Sequence, residues 1–222
     1  AVLRRRAVAA ASALSLVVGL CVGMGAAPAA AEVPPVFTYS GAVPAMTNTF
    51  GVTVGPDGAV WYVNTTEYGA IGRLDPDGST VTYRHDRVRS PNGIVTGADG
   101  NLWVTYDSGI ARVTPAGEIT LIGTPGANPT RRPVLGPDGA VWFVNAGNRY
   151  VGRVTPEGAV TTYTHPDMDF PTSVTVGPDG AMWFADRGTY IVYEQNGGPV
   201  PDPYWQGSAI GRIAPDGSVP RF

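Results

Sequence analysis

The sequence has no lysine, and its one cysteine, Cys21, sits in an apolar leader-like segment at the N-terminus. Without a lysine there is no Schiff-base chemistry, and beyond residue 31 there is no thiol to form a disulfide or act as a nucleophile. The only histidines are His85 and His165, too few for a multi-histidine zinc site within one chain. Neither a Gly-x-Ser-x-Gly elbow nor a phosphate-binding loop occurs. With residues 1–31 set aside, twelve arginines face 18 acidic residues, a net charge of about −6. That balance argues against nucleic acid or an anionic membrane surface as a partner.

What the chain does have is turn-forming residues, 30 Gly and 21 Pro, in a repeating order. The stretch from Gly136 to Tyr163 shows the unit. GPDG reads as a turn, in which Pro presets one φ, Asp bonds nearby backbone and Gly takes positive φ. Pro133–Leu135 lead into it, and 140–144, 150–155 and 159–163 are β-rich runs separated by further turn residues. Four strands joined by tight turns make one antiparallel sheet. GPDG or GADG begins again at Gly55, Gly97 and Gly177, each followed at fixed offset by a tryptophan: Trp61, Trp103, Trp142 and Trp183. Arg73, Arg112, Arg153 and Arg212 recur in the third strands, and second turns recur as DPDG, TPAG, TPEG and APDG. Four strands in a repeat of about 40 residues is the signature of a β-propeller blade. The tryptophans then read as packing between blades, and the arginines as hydrogen-bonding groups between blades.

In chain order, Arg4–Arg6, the apolar run 7–25 and Ala29–Ala31 form a signal peptide over residues 1–31, so the protein is expected to be exported and extracellular, by either the general or the twin-arginine route. The propeller domain follows over 32–222, with repeats at about 51–85, 93–124, 132–165 and 173–222. Phe37–Tyr39 reads as one lone fourth strand ahead of the four blades. This arithmetic predicts an incomplete ring, with compact four-bladed closure as the alternative. An incomplete ring would offer its open blade ends for self-association. The fourth repeat carries about twenty extra residues between its second and third strands, with Tyr190, Tyr193, Tyr204 and Trp205 as candidate binding residues.

The first and third turns of each blade are short and repetitive, so their face of the disc reads as structural, and the variable loops lie on the other. At that face the second strands end in Asn64, Tyr106, Asn145 and Asp186, and the first strands open with Phe50, Asn92, Arg131 and Thr172. Asn64, Asn92, Asn145 and Asp186 could converge as oxygen ligands for magnesium or calcium, or simply cap strand ends. Tyr106, Arg131 and Thr172 are candidate binding residues for a small molecule. His85 and His165, each two residues beyond a strand-ending tyrosine, could act as a general base or be ordinary loop residues.

The motif G-x-D-G-x-(L/V)-W followed by (I/V)-G-R-(I/V)-x-P-x-G resembles the virginiamycin B lyase family over about residues 51–222. The resemblance implies blades of a seven-bladed propeller and metal-assisted elimination that opens a cyclic depsipeptide. The family's second strands read W-F-T-E and its first strands follow P-H. Here the Glu position carries Asn64, Tyr106, Asn145 and Asp186, and the His position Phe50, Asn92, Arg131 and Thr172, so the resemblance implies fold rather than activity. The segment 90–107, with Ser-Pro-Asn-Gly, is similar to the sugar-lactonase propellers, in which the Asn matched by Asn92 binds a divalent cation. Three functions follow: a lyase-type propeller, a metal-dependent lactone hydrolase, or a secreted binding module without enzymatic activity.

Overall fold

The repeated Gly-x-Asp-Gly turn decides where each sheet begins. The computed structural model describes residues 48–65, 69–126, 130–191 and 204–219, and at 130, 131, 190, 191 and 204–206 the backbone alone. The first sheet holds β1 (Thr49–Val54), β2 (Val60–Asn64), β3 (Ala70–Leu74) and β4 (Thr80–Tyr83) in that order, all antiparallel. The second holds β5 (Gly93–Thr96), β6 (Leu102–Tyr106), β7 (Gly109–Val113) and β8 (Ile119–Gly123). The third holds β9 (Thr130–Leu135), β10 (Val141–Asn145), β11 (Tyr150–Val154) and β12 (Val160–Tyr163). In the fourth, β13 (Pro171–Val176) and β14 (Met182–Asp186) pair with β17 (Ala209–Ile213). The insert between them contributes a small hairpin of its own, β15 (Thr189–Ile191) on β16 (Tyr204–Gln206), with Tyr190 opposite Trp205. The signal segment, the lone strand, Tyr193 and the end of the fourth repeat lie outside the described residues.

The turn chemistry goes further than the sequence reading. Gly58, Gly100, Gly139 and Gly180 take φ between 73 and 77°, a region closed to most side chains. In each blade the turn aspartate accepts the backbone N–H two residues on. It also accepts the indole N–H of the repeat tryptophan: Trp61 to Asp57 at 3.2 Å, Trp103 to Asp99 and Trp142 to Asp138 at 3.1 Å, Trp183 to Asp179 at 3.0 Å. The indole lies against the first glycine of the turn, where a Cβ would come within 2.2–2.5 Å of it. Gly55, Gly97, Gly136 and Gly177 are therefore required by the tryptophan.

The arginines correct an expectation. Arg73, Arg153 and Arg212 bind Asp57, Asp138 and Asp179 of their own blades. Only Arg112 reaches the next blade, to the carbonyl of Pro156 at 3.0 Å. Its usual partner, Asp99, is held instead by Asn101 at 2.8 Å.

Cross-strand packing follows an aromatic-on-glycine rule. Tyr62 lies over Gly72, Phe143 over Gly152 and Phe184 over Gly211, each pair directly opposed, and an added Cβ would come within 2.0–2.1 Å of each ring. The second blade has Val104 opposite Ala111, so where the ring gives way to a smaller side chain, the glycine gives way to a larger one.

Each sheet packs its tryptophan face against the next sheet's other face. Trp61, Val63 and Ile71 meet Ile94, Val104 and Val113, and the same arrangement repeats between the second and third blades and between the third and fourth. The inner strands touch in the order β1, β5, β9, β13. At the two ends the faces are bare. Ile94 and Val174 are 6% and 5% exposed, but the matching Val52 of the first blade is 66% exposed. Ile71, Ile110 and Val151 are fully buried, but the matching Ile210 of the fourth is 60% exposed. The described sheets form an open arc of propeller blades, as the strand arithmetic predicted.

Candidate functional site

The antiparallel order puts the ends of β2, β6, β10 and β14 and the starts of β5, β9 and β13 on one side of the arc, the mouth. Asn64, Thr105, Asn145 and Asp186 are the buried polar residues of the described core, and all lie at or beside this end. A buried polar atom needs a partner, and the structure supplies partners locally. Asp186 caps the β12–β13 loop: its Oδ2 accepts from the N–H of Asp169 at 2.9 Å, and its Oδ1 from Phe170 at 3.0 Å and Gly188 at 2.7 Å. Asn145 accepts from the backbone and side-chain N–H of Asn148 at 3.0 and 3.1 Å and donates to the Tyr150 hydroxyl at 3.0 Å. That hydroxyl in turn donates to the carbonyl of Pro125 at 2.9 Å. Asn92 accepts from the Thr105 hydroxyl at 2.7 Å.

These four candidates are not lined up around one space. Phe170, Thr172, Asp186, Arg187 and Ser208 line a cleft of about 850 Å³ beside β13, together with Arg132. Phe50, Ser90, Asn92 and Asp107 line a second cleft beside β5, again with Arg132. Asn64 and Asn145 line neither. A divalent cation wants several free oxygen donors, with carboxylate charge among them. Here both oxygens of Asp186 already accept from backbone N–H groups, and the Asn145 and Asn92 oxygens are in use. As arranged, the set does not fit a cation.

The two histidines occupy matching turns. His85 Nδ1 accepts from the N–H of Arg87 at 3.1 Å and His165 Nδ1 from that of Asp167 at 3.2 Å. Their carbonyls accept from Val88 and Met168, both at 2.9 Å, and these two side chains plug the inter-blade cores. An accepting Nδ1 leaves the ring proton on Nε2, so each imidazole holds a loop in place. Tyr106 ends β6 inside the core between the first two blades, where burial pushes its phenol pKa up. Beside it Arg87, Arg89 and Ser108 line a third cleft. Thr172 donates to the carbonyl of Ala185 at 3.3 Å. Arg131 opens β9 opposite Val144.

The sequence reading missed Arg132. Exposed beside Arg131, it lines both larger clefts and is one of four described non-glycine residues with positive φ, at 48°. The available signal was Pro133, which cannot donate to a sheet ladder and therefore marks a bulge. The β9–β10 register does break between Trp142 and Val144, and so do those of β1–β2 and β13–β14, where Val52 and Val174 stand in place of the proline.

Comparison with known proteins agrees with this geometry. The family model described as the virginiamycin B lyase family matches residues 40–194. A virginiamycin B lyase of Nocardia farcinica is 37% identical over 99 residues, which are 43% of this chain and 34% of that protein. The structure of a catalytically inactive His-to-Ala virginiamycin B lyase from Staphylococcus aureus, with quinupristin, superposes with a TM-score of 0.63 at 27% identity. That match covers 78% of this chain and 54% of the lyase. A putative gluconolactonase shares the fold, with a TM-score of 0.51 at 18% identity. The matched parts thus span about a third of the curated relative and just over half of the lyase structure. The family model covers more than half of the chain, and the chain belongs to the virginiamycin B lyase family.

Proposed function

We propose that this chain is an exported lyase-type propeller whose mouth holds a small molecule, and that the residues of its four blades bind such a molecule without breaking it. One observation carries the reading. The groups that the sequence offered for chemistry are committed to the protein itself: both histidines through Nδ1, and Asp186 through both oxygens. Elimination needs a base free to reach the reacting proton. A group already fixing a loop must give up that bond first. The clefts beside β5 and β13 remain open to a ligand, on the face where the variable loops gather.

The test uses purified 32–222 with quinupristin, the ligand of the Staphylococcus aureus structure. Mass spectrometry after incubation with magnesium should show intact quinupristin. Quenching of tryptophan fluorescence should report binding. A linearised product would overturn the reading, and so would the absence of any binding. Calcium or magnesium alone should give at most weak heats in calorimetry, because a cation would have to displace the caps on Asp186 and Asn145. The lactonase alternative rests on Asn92, whose oxygen is held by Thr105, and on a neighbour that shares only the fold.

A further inference from the structure

The net negative charge of the chain conceals a division between its two faces. On the turn face, Arg73, Arg153 and Arg212 are paired with turn aspartates, while Asp77, Glu118, Glu157 and Asp216 in the second turns add further negative charge. At the mouth the sign reverses. Arg84, Arg87 and Arg89 lie in the β4–β5 loop, Arg131 and Arg132 open β9, and Arg187 follows β14. Among the described residues, no ion pair holds Arg84, Arg87, Arg89 or Arg132. Of the acids on this face, Asp186 accepts three backbone N–H groups and Asp169 is bound by Arg149 at 3.1 Å, and Asp86, Asp107 and Asp167 stand among the arginines as opposing charge.

Arg132 stands out among these. Its counterparts are Gly51, Gly93 and Ser173, none of which has positive φ. The register also breaks near this point in the first and fourth blades, but only in the third does a proline follow, and there an arginine is turned into the left-handed region. A residue before proline is restricted as well, and a non-glycine residue held left-handed is strain that points to a role. Bulges commonly re-aim a side chain beside a functional site. This one places an exposed guanidinium between two clefts, as the one described residue that lines both. Arginine's planar fork matches a carboxylate or phosphate with two parallel hydrogen bonds. Around it stand further donors, Arg187 in one cleft and Ser90 and Asn92 in the other, while the Ser208 hydroxyl donates to the Arg187 carbonyl at 2.9 Å. Asp107, in the second cleft, is the opposing charge.

We propose that the mouth is an anion site, anchored by Arg132, for a small molecule bearing a carboxylate or a phosphate. The inference rests on the mouth-face reading above but not on lyase chemistry. The probes are citrate and pyrophosphate, titrated separately into purified 32–222 at constant ionic strength. Saturable binding of either supports the site; citrate alone marks the ligand as a carboxylate, and pyrophosphate alone as a phosphate. Arg132→Gly should weaken binding at least tenfold while keeping or raising Tm, because glycine accepts the left-handed backbone. Arg132→Lys should recover part of the loss, and Arg84→Ala, farther out in the loop, should change affinity less than twofold. Failure of both probes to saturate overturns the proposal, as does binding indifferent to Arg132→Gly. Loss of binding with a marked fall in Tm would make Arg132 structural and also overturn it. Quinupristin binding without anion binding sinks this inference alone; anion binding without quinupristin binding sinks only the earlier ligand.

Discussion

Ile71, Ile110, Val151 and Ile210 occupy one place in four successive sheets. The first three are sealed beneath the next blade, and the fourth faces outward. The other face gives the mirror image, with Val52 bare and Ile94 and Val174 covered. The strand, its partner and the turn are alike at each site, so the difference isolates what a neighbouring blade contributes. Removing a side chain of this size from water is worth about 1.5–3 kcal/mol. Each internal interface collects several such gains, and the ends collect few.

The sharpest way to break the comparison is to place a charge at matched positions. Ile110→Asp buries an unpaired carboxylate between two blades and should cost more than about 4 kcal/mol, enough to unfold the chain in urea titrations. Ile210→Asp should cost less than about 0.5 kcal/mol. Similar losses at both positions would show that the fourth blade's outer face is covered in solution. In size-exclusion runs, Ile210→Asp combined with Val52→Asp should also lower any self-association of 32–222.

A second test moves inside the blades. Gly152→Ala pushes a Cβ into Phe143 and should cost about 1–3 kcal/mol. Adding Phe143→Val reproduces the Val104–Ala111 pair of the second blade. The double variant should recover about 1 kcal/mol relative to the sum of the single changes. Additive losses would mean that the pairing rule does not act locally.

The blade pattern was legible because its signals are short in range. A turn glycine, a tryptophan six residues later and period-two alternation each act within one hairpin, so sequence order is nearly spatial order. The arginine partners were not legible in this way. Whether Arg153 turns to Asp138 of its own sheet or, like Arg112, to the following blade depends on register and on competitors such as Asn101. The mouth residues show the limit more clearly. Asn and Asp serve equally as ligands and as caps, and only the positions of Asp169, Phe170 and Gly188 around Asp186 decide between the two. Pro133 was a signal for Arg132, although the first and fourth blades bulge near the same point with Val52 and Val174 in its place.

Smaller effects sharpen the account of the turns. Hydrogen bonds from Trp183 and Arg212 hold the Asp179 carboxyl down to about 2. A folded pKa below the unfolded value means that this contribution is full above about pH 4. It should then be lost as pH falls toward 2. Asp179→Asn should remove that part of the acid limb in a fluorescence-monitored pH titration, and an unchanged limb would assign it to other acids. Smallest of all, His85→Ala and His165→Ala should each cost about 1 kcal/mol or less, the value of one loop-fixing hydrogen bond. A much larger loss in thermal melts would give the imidazoles a part beyond their turns.

The link from turn aspartate to tryptophan and arginine has a wider consequence. In the first, third and fourth blades it satisfies these polar partners inside one sheet. The aspartate, tryptophan and arginine of such a blade then need no polar partner across the seam, although beside the first turn Thr96 of the second blade donates to the Val54 carbonyl at 2.6 Å. Units of this kind can be copied, deleted or reordered in a gene without a new polar fit having to be found at each junction. The second blade, where Arg112 reaches across to Pro156, is the member of the series that would tolerate a new neighbour least.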